Sequence, residues 1–334
     1  MAKILLVTDA WMPQINGVVT TLTNIVKQAE KHGDEITVYH PQLFKYHLSK
    51  SQYPQPNVVF WQQKKHIDFE KYNHIYIATP ETYLGFRSVR SCTYKKIKFT
   101  TGYHTKFPEY LQTRYQIPKD IGWRWMRYVH KNSKCILTTT ASMREELRQN
   151  GFFQDISVGT RGIDRSIFYP DHTAKVIAGR PILINVGRVS VEKGLDDFCQ
   201  IKYGNRATKV VIGDGPYRQE LQRKYPDVLF TGMLQGKELA DWYRLADCFV
   251  FTSINDTFGV VMLESIACGT PVAAYPVTGP IDIITEGITG SCDWYLETAI
   301  KKCLDIDRNI VYNESLDYSW QDCYKNFKKT LVET

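Results

Sequence analysis

The sequence predicts an α/β protein built as two doubly wound halves, and three observations lead there. Short apolar runs rich in β-branched residues alternate with amphipathic stretches, the pattern of βαβ units around a parallel sheet. The alternation pauses once, between Arg165 and Arg180, and then resumes. The length of 334 residues, 43% of them hydrophobic, exceeds the usual size of one α/β domain and supplies apolar surface for two cores.

In the first half, strands are expected at Ile4–Thr8, Glu35–Tyr39, Val58–Trp61, His74–Ala78, Lys98–Tyr103 and Cys135–Thr140. Helices are expected at Gly17–Lys31 and Ser142–Asn150, the second closed by Gly151 where a helix end favours glycine. The stretch RSIFYPDHTAKVIAGR, from Arg165, has no clear periodicity and carries a proline, so it reads as the linker. After it, strands are expected at Pro181–Val186, Lys209–Ile212, Val228–Thr231, Cys248–Thr252 and Pro271–Tyr275. Helices are expected at Gly194–Tyr203, Gly215–Lys224, Lys237–Ala246, Phe258–Cys268 and Thr298–Asp305.

Composition narrows the function. The eight cysteines are scattered, with no C-x-x-C pair and no histidine at zinc-ligand spacing, which suits reduced thiols in the cytoplasm. The run Ile4 to Val7 is too short to be a signal peptide or a membrane span. The net charge of +7 raises the question of nucleic acid, but the lysines and arginines are dispersed and no nucleic-acid-binding signature is present, so no nucleic-acid partner is expected.

In doubly wound domains ligands bind at the carboxyl ends of the strands, so two such halves facing each other place the chemistry in the loops of a cleft. The first such loop, DAWMPQING, ends at Gly17, where a helix begins; a glycine there admits an anion to free N–H donors, or it is simply a turn glycine. This is not the G-x-G-x-x-G fingerprint, which weighs against a dehydrogenase. The second half opens with GRVSVEKG, whose Arg188 and Lys193 offer a planar fork and a point charge suited to a diphosphate; two solvated surface cations are the alternative. The turn GDGP at Gly213–Pro216 reads mainly as architecture, with Pro216 at a natural first-turn position.

The stretch from Ser253 to Glu264 says most. A strand ends in polar residues and a glycine-containing turn opens a helix, so Asp256 sits at the helix mouth and Glu264 about two turns further on. The N–H groups of Phe258, Gly259 and Val260 would face an anion, with one carboxylate for a sugar and one for a ribose. A helix cap and a structural acid would leave the same trace.

Together GRVSVEKG, GDGPYRQEL and DTFGVVMLESIACGTPVAA resemble the family 4 glycosyltransferases of the two-domain GT-B fold. The segments TDAWMPQINGVVTTL, GYHTKFPEYL and RGIDRSIFYP resemble more narrowly the branch that uses GDP-mannose as a mannosyl donor. The resemblance implies domains at 1–165 and 166–317, with a helix at 318–334 crossing back onto the first. It implies that Arg188 and Lys193 hold the donor diphosphate, that Gly17 contacts it from the first domain, and that Thr257 to Val260 line the donor. It gives Glu264 the ribose, Asp256 and His104 the transferred sugar, and Met233 with Leu234 the base. One departure stands out: the family pair is normally two glutamates, and here the first is Asp256, one methylene shorter.

The implied reaction needs no enzymic nucleophile and no bound cofactor beyond the nucleotide-sugar co-substrate. Charge builds on the departing diphosphate, where cations and helix ends can stabilise it, and no D-x-D metal motif is present. Retention of configuration by front-face attack, a glycan or glycolipid acceptor, and closure of the two domains onto the donor belong to the same implication. The segment from Ile121 to Lys131 mixes aromatics and cations at helical spacing, which fits a membrane-surface helix or a packed helix with exposed arginines. Rival readings are a UDP-sugar transferase, an epimerase or phosphorylase on the same architecture, and a sugar-nucleotide-binding protein whose activity has lapsed.

Overall fold

The computed structural model describes residues 1–43, 67–171, 180–203 and 207–334; the strand expected at Val58–Trp61 lies outside the described residues. The chain groups into two compact units, Met1–Arg161 with Trp320–Thr334, and Gly162–Ser319.

In chain order the first unit runs β1 (Lys3–Val7), α1 (Gly17–Lys31), β2 (Glu35–Tyr39), β3 (His74–Ile77), α2 (Tyr83–Tyr94), β4 (Thr100–Gly102), α3 (Phe107–Tyr115), α4 (Lys119–His130), β5 (Cys135–Thr138), α5 (Ala141–Gln149) and β6 (Asp155–Val158). The second runs β7 (Ile182–Val186), α6 (Leu195–Gln200), β8 (Thr208–Ile212), α7 (Arg218–Lys224), β9 (Leu229–Gly232), α8 (Gly236–Leu245), β10 (Cys248–Phe251), α9 (Val260–Ala267), β11 (Val272–Ala274), α10 (Pro280–Ile283), β12 (Gly290–Cys292), α11 (Leu296–Cys303) and α12 (Arg308–Glu314). The last helix, α13 (Trp320–Thr330), belongs to the first unit.

Each unit holds a six-stranded sheet, β2-β1-β3-β4-β5-β6 and β12-β11-β10-β7-β8-β9, and every strand pairing is parallel. Both are Rossmann-like doubly wound sheets, buried on both faces because strand side chains alternate. In β1, Ile4 and Leu6 join a core layer with Leu22 and Ile25 of α1 and Tyr324 and Phe327 of α13, while Leu5 and Val7 join Leu84 and Val89 of α2 on the other face. In β7, Ile182, Ile184 and Val186 pack with α8 and α9, and Leu183 packs with α6 and α11.

The expected elements that fall on described residues are present with boundaries within three residues. β6 escaped notice because only Ile156 of its four residues is buried, which leaves no alternation. β12 is three small residues, Gly-Ser-Cys. The helices α2, α3 and α12 also went unpredicted. Three helices start later than expected: α6 at Leu195, α7 at Arg218 and α9 at Val260; left-handed Gly194 and Gly259 hold the chain outside α6 and α9, and Pro216 lies in the turn before α7 rather than in its first turn.

In the first unit α13 is fastened at Asp34. This buried carboxylate accepts hydrogen bonds from Ala2 N (2.7 Å), the Tyr324 hydroxyl (2.7 Å) and Lys328 Nζ. Burial pushes Asp34 up, but the bonds to Lys328, Ala2 and Tyr324 override it and hold the carboxyl down at about 2, below its ordinary 3.8. Its contribution is therefore complete above the ordinary carboxylate pKa and fades as pH falls toward 2. Asp34→Ala, which strands two buried donors, is expected to cost about 2–4 kcal/mol, and Tyr324→Phe about 1 kcal/mol. Chemical denaturation at neutral pH, repeated in acid, checks both the size and the convergence of wild type and variant at low pH.

Candidate active site

In the second unit the strand order reverses between β7 and β10, whose residues Leu183 and Ile184 pair with Cys248 and Phe249. Neighbouring loops leave such a sheet in opposite directions and open a crevice at the carboxyl ends of the strands. The loops at this reversal are 187–194 after β7 and 252–259 after β10, and they carry Arg188, Lys193 and Asp256.

Lys193 Nζ donates to both carboxylate oxygens of Asp256, at 2.7 and 2.8 Å, bridging residues 63 apart in sequence. Burial alone would push Asp256 up; the charge and hydrogen bonds of Lys193 win, and the carboxyl lies below its ordinary value. Thr252 Oγ1 donates to Lys193 O at 2.8 Å and ties the two loops a second time. Arg188 is exposed and its guanidinium donates to Glu192 Oε1 at 2.7 Å. Burial pushes Glu192 up, but its own backbone amide and the charge of Arg188 keep it below the usual range, as a carboxylate.

The 213–216 turn holds the Arg188 loop from below. Val189 N donates to Asp214 O at 3.0 Å, and a Cβ on Gly213 or Gly215 would lie 1.8 Å from Gly187 O or 2.2 Å from Val189 O. Only glycine permits that approach, which makes this turn the architectural support the sequence suggested.

Before α9, Gly259 has φ +90°, and an added Cβ would strike Met262 Cε at 2.7 Å. Phe258 and Gly259 therefore precede the helix and Val260 is its first residue, a correction to the expectation that the helix includes Phe258. Thr257 and Phe258 are buried. Glu264 lies one turn inside α9, half-buried, and accepts a hydrogen bond from the Tyr243 hydroxyl at 3.2 Å. Burial pushes Glu264 up to about 7, with the Tyr243 bond acting in the opposite direction. After β9, Met233 is exposed and Leu234 is packed against the core.

In the first unit, Gly17 opens α1 as expected, but the helix end is partly satisfied. Asn16 Oδ1 accepts from Val18 N and Val19 N, both at 3.0 Å. His104 follows β4. Arg161 Nη2 donates to its Nδ1 at 3.2 Å, which leaves Nε2 protonated to donate to the Tyr76 hydroxyl oxygen at 2.6 Å. Burial, Arg161 and His130 together keep the imidazole neutral, with its pKa well below the ordinary value. At the same strand ends, burial raises Asp9 to about 6 and Glu81 to about 8, against a Thr82 hydrogen bond on Asp9.

Of the residues singled out from sequence, Lys193 and Asp256 are in direct contact, and Arg188 shares their loop pair. Glu264 stands further along α9. Gly17 and His104 belong to the first unit. Sequence reasoning missed Glu192, Tyr243, Arg161, Tyr76 and Asp9. Glu192 had a readable signal, since it stands four residues from Arg188; Tyr243 and Arg161 had none, because their partners are remote in sequence.

A family model described as Glycosyltransferase Family 4 matches residues 15–167, and one described as Glycosyl transferases group 1 matches residues 180–300. The chain belongs to the family 4 glycosyltransferases. It is an enzyme that takes its sugar from a nucleotide-sugar donor. The glycosyltransferase is 25% identical over 319 residues to the GDP-mannose-dependent alpha-mannosyltransferase of Corynebacterium glutamicum, covering 86% of this chain and 76% of that one. It is 26% identical over 316 residues to the protein of the same name from Mycobacterium tuberculosis, covering 86% and 82%. Among solved structures, Anabaena HepE in complex with UDP-glucose superposes with a TM-score of 0.70 at 16% identity over 99% of both chains, a likeness of fold. The two Rossmann-like units of this glycosyltransferase are those of the GT-B fold.

Removing the Tyr243 hydroxyl leaves burial unopposed at Glu264. In Tyr243→Phe the ionisation midpoint of Glu264 is expected to rise above about 7. A carbon-detected NMR titration of side-chain carboxyls, with Glu264→Gln to assign the resonance, measures it; a midpoint that stays put or falls rules out the hydroxyl as the group holding this carboxylate.

Proposed function

We propose that this glycosyltransferase moves mannose from GDP-mannose, with retention of configuration, to a hydroxyl of a glycan or lipid-linked glycan. The observation that carries the donor site is the Lys193–Asp256 pair beside Arg188 at the strand reversal, where cations and a helix start are gathered. The mannosyl donor is supported by the two relatives whose names specify GDP-mannose and which align along most of their length.

In this reading the bond between the sugar's anomeric carbon and the diphosphate oxygen breaks while the acceptor hydroxyl attacks from the same face. The acceptor's proton passes to the departing phosphate. Arg188, Lys193 and the backbone donors at Thr257 to Val260 take up the charge that develops on the diphosphate, which is where stabilisation lowers the barrier. No metal and no resident cofactor enters the scheme. Asp256, already aligned by Lys193, accepts from the sugar hydroxyls; its shorter side chain is offset by a cation that fixes it. Glu264 accepts from the ribose hydroxyls, and Met233 and Leu234 lie along the base. The enzyme's place is the cytoplasm, in contact with a membrane surface where a lipid-linked acceptor is presented.

A UDP-sugar donor is the second reading, favoured by the UDP-glucose found with the similar fold of HepE. A thermal-shift series with GDP-mannose, GDP-fucose, UDP-glucose, UDP-galactose and UDP-N-acetylglucosamine separates the two, since only a ligand that binds the folded state stabilises it. Greatest stabilisation by GDP-mannose is expected; greatest stabilisation by any UDP-sugar overturns the mannosyl assignment. Arg188→Ala and Lys193→Ala are each expected to weaken donor binding and turnover by about tenfold to a hundredfold, the scale of a charge-assisted hydrogen bond; Arg188→Ala changes fold stability little, whereas Lys193→Ala also lowers it by leaving the Asp256 carboxylate without its cation. Wild-type kinetics in both variants would remove the diphosphate from these loops. Donor affinity, followed by calorimetry on either side of pH 7, is expected to strengthen as pH rises and Glu264 becomes a carboxylate.

A further inference from the structure

The first unit carries a second concentration of chemistry at the opposite ends of its strands from His104 and Asp9. Lys131 precedes β5, and Phe153 and Gln154 precede β6, so this surface lies at the amino ends of the sheet. There an open cleft of about 440 Å³ is lined by Arg124, Arg127, Tyr128, Lys131, Phe153 and Gln154, together with Gly151. Three of these are cations and none is a carboxylate. Arg124 and Lys131 make no ion pair among the described residues. Gln154 Nε2 donates to His130 O and Lys131 O at 3.1 and 3.2 Å, and its Oε1 is buried with no hydrogen-bond partner among the described residues.

The helix beneath is a packed helix with exposed arginines, one of the two alternatives its sequence left open. One face of α4 is core: Trp123, Met126 and Val129 pack with Tyr103 and Phe152. The other presents Ile121, Arg124, Tyr128 and Lys131 as a stripe at steps of three and four residues, which share a face of a helix. Phe153 beside it is 90% exposed and Tyr128 58%. The aromatic rim continues to α2 through Tyr128 and Phe86, whose ring centroids lie 6.2 Å apart, and Arg90 stands over Phe86 at 5.8 Å.

An aromatic ring left in water beside unpaired cations has one surrounding that suits both. At an anionic bilayer the cations meet phosphates, and the rings enter the interfacial layer where Tyr and other aromatics are favoured. A soluble polyanion would satisfy the cations alone. We propose that the α4 stripe and this cleft dock the first unit on an anionic phospholipid surface, with a lipid phosphate held by Arg124 and Lys131. The inference deepens the membrane contact proposed above and is independent of which donor the enzyme uses.

The test is co-sedimentation of the full chain with vesicles of phosphatidylcholine, alone or mixed with phosphatidylglycerol. Binding to the mixed vesicles only is expected. Arg124→Ala with Lys131→Ala should lower partitioning by about twenty-five-fold, at roughly fivefold for each cation near an anionic surface, and Arg124→Lys with Lys131→Arg should retain it. Phe153→Ala should weaken vesicle binding several-fold while leaving binding to dextran sulfate unchanged. Thermal unfolding and stabilisation by the nucleotide sugar should be unaltered in all three variants, which keeps a failure here distinct from a failure of the donor reading. Wild-type partitioning in the double alanine variant would leave a membrane contact but not through this surface; no binding to anionic vesicles at all would remove both; and insensitivity to the loss of Phe153 would replace the membrane with a soluble polyanion.

Discussion

The proposed donor chemistry of the second unit rests on one ion pair, Lys193 with Asp256, at the point where its sheet reverses direction. Each partner is only about a quarter exposed, so neither charge is fully screened by water and each needs the other. Asp256 stays ionised because Lys193 is there, and the ammonium keeps its position because two carboxylate oxygens and a neighbouring backbone hydrogen bond fix the loop that bears it. An ammonium has three donor hydrogens, and a bidentate carboxylate engages it without exhausting the charge. In the proposed function the pair arranges a cation for the incoming diphosphate.

Arg188 follows the same logic with Glu192, four residues on. Both cations of the loop after β7 are held by carboxylates of the same unit, which would limit the side-chain freedom lost on binding the proposed diphosphate. The loop itself is positioned from beneath by the glycine turn at 213–215, where main chain touches main chain. Rigid backbone, tethered cations and a helix that begins only after a left-handed glycine make a surface organised for negative charge.

The first unit is built around different constraints. Its last helix is separated from the rest of the unit's sequence by the whole second unit, and it completes a core layer against β1 and α1 through Tyr324 and Phe327. Asp34 fastens it by collecting three donors on one buried carboxylate. His104 is held neutral and in a single tautomer between Arg161 and Tyr76, so it acts as a hydrogen-bonding group rather than a cation at neutral pH.

The sequence by itself determined the alternation of strands and helices, the two halves, and which loops carry charge, because these follow from local periodicity and from residue types at strand ends. Strands buried on both faces, such as LLV in β1 or VVI in β8, announce themselves by apolar content alone; a four-residue edge strand like β6, with one buried side chain, does not. Arg188, Lys193, Asp256 and Glu264 were legible as candidates because a cation or carboxylate beside a glycine turn is a local pattern. Tertiary structure alone decided that Lys193 binds Asp256, that Tyr243 holds Glu264, that Arg161 fixes the tautomer of His104, and that one face of α4 is core while the other is a cationic, aromatic surface. Those facts depend on strand order and on side chains brought together from 21 to 63 residues apart, and no local pattern encodes which distant partner a charged group will meet.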